Sequence, residues 1–128
     1  MDDRGFRRGD VWRGELDPVR GHEQGRARPV VIVSADLFNA GPARLVVVCP
    51  ITTRFRRIPS HVPVAPPEGG LRAQRYVVCE QVRTVSTERL VLRLGELARP
   101  SMAAIDERLR ILLDLSCRMT RAAQSALR

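Results

Sequence analysis

The chain of 128 residues is long enough for one domain that buries its own core. It has three widely spaced cysteines and only two histidines, which argues against a zinc site and favours a protein with reduced thiols. Its 22 basic residues against 14 acidic ones leave a formal net charge of +8, which favours a polyanionic partner. Because no apolar run approaches the roughly 20 residues that a membrane helix needs, and the N-terminus lacks the apolar core of a signal peptide, we expect a cytoplasmic protein with no membrane contact.

Six apolar runs separated by turn residues predict β-strands. Residues 30–33 form a continuous β-branched run, which is typical of a strand buried on both faces. Pro63 restricts the strand at residues 61–64 to a sheet edge, and Pro50 is expected to close the strand that precedes it. The predicted strands are residues 11–16, 30–33, 45–49, 61–64, 76–80 and 90–94.

Two segments predict helices. Ser34 and Asp36 would cap a single helical turn, and Ser101 is expected to be the N-cap of a longer C-terminal helix. The apolar stripe of that helix consists of Ile105, Leu109, Leu112 and Leu113. Several short strands closed by one terminal helix predict a mainly β fold, a small curled sheet or barrel. It would form a single domain over residues 1–116, followed by a polar extension at residues 117–128.

Polar residues cluster at three strand ends, in residues 22–28, 52–53 and 80–84. Each cluster alone is ordinary turn material. If the strand ends converge at one rim of a small barrel, however, the three clusters indicate a functional site.

The chemistry of such a site is limited by what the sequence lacks. It has neither a phosphate-binding G-x-x-x-x-G-K loop nor the G-x-S-x-G motif of a serine hydrolase. Cleavage of RNA needs neither, because the ribose 2′-OH is the nucleophile and the protein supplies a base, an acid and cations. Glu23 or His22 could serve as the base, Arg28 as the charge stabiliser and Thr52 as a hydroxyl donor.

The segment after Thr52 is basic, and two interpretations of it stay open. Arg54, Arg56 and Arg57 would either follow the phosphates of a nucleic acid or form a solvated loop. Phe55 would either stack on a base or enter the core.

Seven short stretches agree in order and spacing with one known family. They are RGDVW (8–12), LDPVRGHEQ (16–24), RPVVIVS (28–34), CPITT (49–53), IPSHV (58–62), EQVRTV (80–85) and STERL (86–90). Together with the terminal helix they cover roughly residues 7–115. On these residues the chain resembles the MazF/PemK toxin family.

This resemblance implies an SH3-like small barrel with a C-terminal helix, of the MazF/PemK/CcdB type, that forms a homodimer. It implies the toxin of a type II toxin–antitoxin system, a sequence-selective endoribonuclease that cleaves single-stranded RNA with no metal and no cofactor. The products would be 2′,3′-cyclic phosphate and 5′-OH ends. The partner that neutralises it would be a MazE-like antitoxin whose C-terminal segment covers the RNA groove.

The family's functional residues map onto matching positions of this chain. The key arginine before the strand-opening proline matches Arg28, the key threonine matches Thr52, and the glutamate of the G-x-E-Q loop matches Glu23. Many members have serine where this chain has His22, which would either shape the loop or take part in proton transfer. The candidate RNA-binding residues are Gln81, Thr53, Arg54, Phe55, Arg56, Arg57 and Arg83.

Two alternatives accompany this interpretation. CcdB-like toxins resemble the family in fold but poison gyrase by binding it, and they depend on an aromatic-containing C-terminal end. This chain ends in QSALR at residues 124–128, which argues against that class. The second alternative is an inactive relative that only binds RNA or an antitoxin.

Overall fold

The computed structural model describes residues 5–16 and 27–115, and within those ranges seven strands form one antiparallel sheet. The strands are β1 (Asp10–Glu15), β2 (Ala27–Ile32), β3 (Leu45–Thr52), β4 (His61–Val64), β5 (Arg75–Val78), β6 (Arg83–Ser86) and β7 (Leu90–Glu96). The helices are α1 (Asp36–Asn39) and α2 (Arg99–Leu112), and 3-10 turns span Glu68–Gly70, Cys79–Gln81 and Thr87–Arg89. The strand order is β4-β5-β3-β2-β1-β7, and β6 pairs with β3.

The central strands are buried on both faces of the sheet. In β1, Val11 packs into one hydrophobic cluster and the next residue, Trp12, into a second. In β2, Val31 packs into the first of these clusters and Val30 into the second, since successive side chains of a strand point to opposite faces. The burial predicted for this β-branched run is confirmed at Val30, Val31 and Ile32, none of which is exposed.

The C-terminal helix packs through part of the predicted apolar stripe. Ile105 is fully buried in the cluster that contains Val11, and Leu109 packs against the same cluster. Leu112 and Leu113, the other two residues of the predicted stripe, are 43% and 54% exposed, so the stripe packs only through its first half.

Two predicted strand ends are corrected. β3 does not close at Pro50 but continues to Thr52. Pro50 is tolerated because it lies where the neighbour of β3 changes, from β6 at residues 45–48 to β5 at residues 51–52. The strand predicted through Glu80 ends instead at Val78, where a 3-10 turn begins.

Two predicted helix caps are also wrong. α2 begins at Arg99, and the capping position is Ala98, whose backbone N–H donates to Glu68 Oε2 at 2.9 Å. α1 has no side-chain cap, because the hydroxyl of Ser34 accepts from the backbone N–H of Val47 at 2.9 Å.

Cys49 and Cys79 are free and fully buried, as expected of thiols in apolar runs. The hydrogen bond with Cys79, together with burial, raises the pKa of Cys49, which keeps it a neutral thiol. Cys117 and the extension predicted at residues 117–128 lie outside the described residues. No helix in the described ranges is long and apolar enough to cross a membrane.

Candidate functional site

Three neighbouring strands bring candidate side chains into one row. In the β2–β3 ladder Val30 pairs with Pro50, and Arg28 and Thr52 each lie two residues beyond this pair, where both line the groove described below. On the other side of β3, Thr52 pairs with Tyr76 of β5. Arg28, Thr52 and Tyr76 thus form a row across the neighbouring strands β2, β3 and β5.

A groove of about 630 Å³ opens beside this row, and its lining is mostly polar. Four arginines and one glutamate carry its formal charges, which makes the groove attractive to a polyanion. The polar lining consists of Arg28, Thr52, Thr53, Arg54, Arg56, His61, Arg75, Glu80 and Gln81.

The Thr52 hydroxyl is oriented by the loop that it begins. Its Oγ1 accepts a hydrogen bond from the backbone N–H of Arg54 at 3.1 Å, which turns the chain back after β3. Since a hydroxyl has one proton and two lone pairs, this contact leaves the proton available to a ligand in the groove.

The single glutamate of the groove is held in place by two neighbours. The Ser60 hydroxyl donates to Glu80 Oε1, and His61 Nε2 lies 2.8 Å from Glu80 Oε2. Burial alone would raise the pKa of Glu80, but the hydrogen bonds from Ser60 and His61 outweigh it and hold that pKa below its ordinary value. The groove therefore presents a fixed carboxylate among its arginines.

Two nitrogens beside the groove are buried without a hydrogen-bond partner among the described residues, His61 Nδ1 and Arg75 Nε. Buried polar atoms are normally paired, and both side chains line the groove. Across the described ranges, no group of three or more His, Cys, Asp or Glu side chains is placed to hold a metal ion.

The structure brings together most of the residues predicted from the sequence. Phe55 and Arg57 belong to the same loop but are not part of the groove lining, and Arg83 lies on β6 opposite Val48. His22 and Glu23 lie outside the described residues. The predicted residues that line the groove are Arg28, Thr52, Thr53, Arg54, Arg56 and Gln81.

The sequence predictions omitted four residues of this region, namely Ser60, His61, Arg75 and Tyr76, and gave Glu80 no role beyond its place in the polar cluster at residues 80–84. The sequence could have indicated His61 and Glu80, because both lie in stretches, IPSHV and EQVRTV, on which the family resemblance rests. Nothing in the sequence showed that these stretches touch. Glu80 and Ser60 are 20 residues apart and meet only in the fold.

The comparisons with known proteins agree with one another. Residues 7–113 match the family model described as PemK-like, MazF-like toxin of type II toxin-antitoxin system. Endoribonuclease MazF9 of Mycobacterium tuberculosis is 37% identical over 115 residues, which cover 86% of this chain and 98% of that protein.

Two solved structures extend the comparison to the fold. An endoribonuclease in complex with its cognate antitoxin, from a mycobacterial species, is 30% identical, with a TM-score of 0.71 over 88% of this chain and 98% of that one. The MazE–MazF complex (Form-II) of Deinococcus radiodurans is 28% identical, with a TM-score of 0.77 over 89% of this chain and 100% of that one.

These findings confirm the expected fold class, a mainly β architecture with a C-terminal helix. They also confirm the expected class of enzyme, since the named relative at 37% identity is an endoribonuclease. The family model spans most of the chain. The chain therefore belongs to the PemK-like, MazF-like toxins of type II toxin–antitoxin systems.

Proposed function

We propose that this protein is the toxin of a type II toxin–antitoxin system and cleaves single-stranded RNA at short sequences without a metal ion. The observation that carries the proposal is the juxtaposition of Arg28 and Thr52 in a groove with four arginines. The endoribonucleases among the relatives support the same substrate class.

In the proposed reaction the 2′-OH attacks the adjacent phosphorus. A base takes the 2′-OH proton, the O2′–P bond forms, and the P–O5′ bond breaks as the 5′-oxygen is protonated. The products are a 2′,3′-cyclic phosphate and a 5′-OH end. Glu23 is the proposed base, and His22 either shapes its loop or shares the proton transfer.

Arg28 and Thr52 act on the charge that develops at phosphorus. A guanidinium is a planar fork that donates to two phosphate oxygens at once. The Thr52 proton, left available by the contact with Arg54, donates to a non-bridging oxygen. Donors fixed before the reaction stabilise the transition state at little reorganisation cost.

The other groove residues bind the RNA on both sides of the cleaved bond. Gln81 and Thr53 offer hydrogen bonds to bases or phosphates, and Arg54 and Arg56 neutralise phosphates. Arg57 and Phe55 extend this surface beyond the groove lining. Arg83, on β6, is proposed as a more distant phosphate contact.

A MazE-like antitoxin is proposed to neutralise the toxin by laying its C-terminal segment along the same groove. Acidic side chains on that segment would pair with Arg28, Arg54, Arg56 and Arg75. Relatives solved together with antitoxins support a partner of this kind. We further propose that the working form is a cytoplasmic homodimer.

The function is tested by incubating the purified protein with a mixed RNA pool in EDTA and sequencing the new 5′-OH ends. We expect cuts within one short sequence, products with cyclic phosphate, and no cut where the nucleotide before the break is 2′-deoxy. Thr52→Val, which has the same shape but no hydroxyl, serves as the matched variant and should cut far more slowly. Loss of cleavage on chelation, or cleavage of the 2′-deoxy substrate, would contradict the mechanism.

A further inference from the structure

An aromatic pair lies at the end of the row that contains Thr52. Phe55, in the loop after β3, packs against Tyr76 of β5, with ring centroids 5.4 Å apart and planes inclined by 35°. Phe55 is nevertheless 63% exposed. The sequence left open whether Phe55 enters the core, and the structure shows that it does not.

The pair is close to the proposed point of cleavage. Tyr76 is directly opposite Thr52 in the ladder, and directly paired residues project from the same face of a sheet. The contact between the Thr52 hydroxyl and the Arg54 N–H turns the chain back, which brings Phe55 over Tyr76. One strand spacing, about 4.8 Å of backbone, therefore separates Thr52 from the aromatic pair.

One cation lies over the Phe55 ring, and others line the groove beside it. The guanidinium carbon of Arg57 lies 5.7 Å from the centre of the Phe55 ring, and Arg56 and Arg75 line the adjoining groove. Arg57 holds a φ of 53°, a left-handed conformation that is unfavourable for a residue with a side chain. This alternation of rings and cations is complementary to the bases and phosphates of a single strand.

We propose that Phe55, Tyr76 and Arg57, here termed the aromatic platform, form a stacking subsite for one unpaired nucleobase beside the cleaved phosphodiester. This proposal rests on the proposed function, because it adds a subsite next to the groove in which cleavage is proposed. Base-paired RNA cannot present a free base face, so the platform selects single strands. Because every base has a π-face, it recognises nucleobases as a class rather than one base.

The platform makes a quantitative prediction about affinity. Stacking of one base on an aromatic side chain corresponds to roughly a 5- to 150-fold change in affinity, so Phe55→Ala should weaken RNA binding by a factor in that range. Phe55→Leu, which stays apolar without a π-face, should lose nearly as much. The matched control is Phe38→Ala, because Phe38 is also exposed, at 44%, and lies on α1 outside the groove lining.

Fluorescence of Phe55→Trp tests stacking directly, since the natural tryptophan, Trp12, is buried at 1% exposure. The probe is a single-stranded RNA oligonucleotide with 2′-deoxyribose at the mapped cut, or a homopolymer series if no cut is mapped. We expect binding to quench the Phe55→Trp emission and to leave that of Phe38→Trp unchanged. An abasic nucleotide beside the cut should abolish the quenching, and at other positions it should not.

The outcomes separate this proposal from the proposed function. If the wild-type protein cleaves RNA but bound oligonucleotide leaves Phe55→Trp unquenched, the platform is wrong and the ribonuclease stands. Quenching that no abasic position removes would also overturn the platform. Position-specific quenching without any cleavage would support the platform and refute the nuclease, whereas no binding of single-stranded RNA would refute both.

Discussion

Arg28 is the residue on which the proposed chemistry depends most. If its guanidinium binds the developing phosphorane, Arg28→Lys should fold and bind RNA nearly normally yet cleave at least about a hundredfold slower, the usual cost of one preorganised donor. Ground-state binding should change less, since the contact strengthens in the transition state. Single-turnover cleavage and binding to a 2′-deoxy analogue measure the two quantities.

The matched control for this variant is Arg110→Lys, on the exposed side of α2. It should leave both binding and cleavage unchanged. Equal losses of binding and cleavage in Arg28→Lys, or near-normal cleavage, would reduce Arg28 to an electrostatic anchor.

Glu80 predicts a pH dependence of stability. Its pKa is held below the ordinary value near 4.5, so the ionised carboxylate stabilises the fold above that pH. This contribution is lost as the pH falls through the lowered pKa. The unfolding free energy of Glu80→Gln, which has no proton to bind, should therefore decline less steeply below pH 4.5 than that of the wild type.

Urea unfolding at a series of pH values measures this difference. Glu88→Gln, at an exposed position, provides the control and should follow the wild-type curve. Parallel curves for Glu80→Gln and the wild type would show that the contacts with Ser60 and His61 do not bias the ionisation.

The turn Glu68–Gly70 depends on a close approach to β7. Gly70 has a φ of 72°, and a Cβ there would lie 1.9 Å from the carbonyl oxygen of Leu94. Gly70→Ala should therefore lose about 1–3 kcal/mol through overpacking, in addition to about 1 kcal/mol for the left-handed backbone.

Gly5→Ala isolates the backbone part of that cost. Gly5 has a φ of 62°, but a Cβ at this position would meet nothing within 4 Å, so only the smaller loss is expected. Urea denaturation of both variants compares them. Equal losses would mean that the turn moves away from β7 without cost.

Elements with strong local signals were predictable from the sequence. The proline-bearing edge strand at residues 61–64 forms where expected, and the β-branched run at residues 30–33 lies in a strand that begins earlier, at Ala27, and ends at Ile32. β6 was not predicted, because Arg83–Ser86 is short and three of its four residues are polar. The caps at Ser34 and Ser101 failed because tertiary contacts override local capping preferences.

The candidate site was only half predictable for a related reason. Arg28 and Thr52 lie near strand ends, and each was predicted as a site residue on its own. That they line one groove depends on the pairing of β2 with β3. Contacts between distant segments, such as Phe55 with Tyr76 and Ser60 with Glu80, arise only when the sheet is assembled.

At the scale of the whole molecule, the net charge of +8 predicts a strong salt dependence of RNA binding. Replacing Arg54, Arg56 and Arg57 together by Ala should reduce the slope of log affinity against log salt by about 2, since each phosphate contact on a single strand contributes roughly 0.7. The rate constant at saturating RNA should fall far less than the affinity.

A charge-matched control removes three arginines outside the groove lining, Arg44, Arg99 and Arg110. It has the same net charge as the first triple variant but should keep the wild-type slope. Equal slopes for the two variants would show that the loop is merely solvated and that only the overall charge matters.

The position of β3 has a genetic consequence. This strand pairs with β2 on one side and with β6 and β5 on the other, and it ends in Thr52. If the active toxin arrests growth, cells that survive its expression from a mutagenised gene should carry substitutions along the whole strand, at buried Val48 and Cys49 as well as at Thr52. Immunoblots would measure the amount of toxin in each survivor. Thr52 variants should accumulate as full-length inactive protein, whereas variants with a charge at Val48 or Cys49 should be degraded.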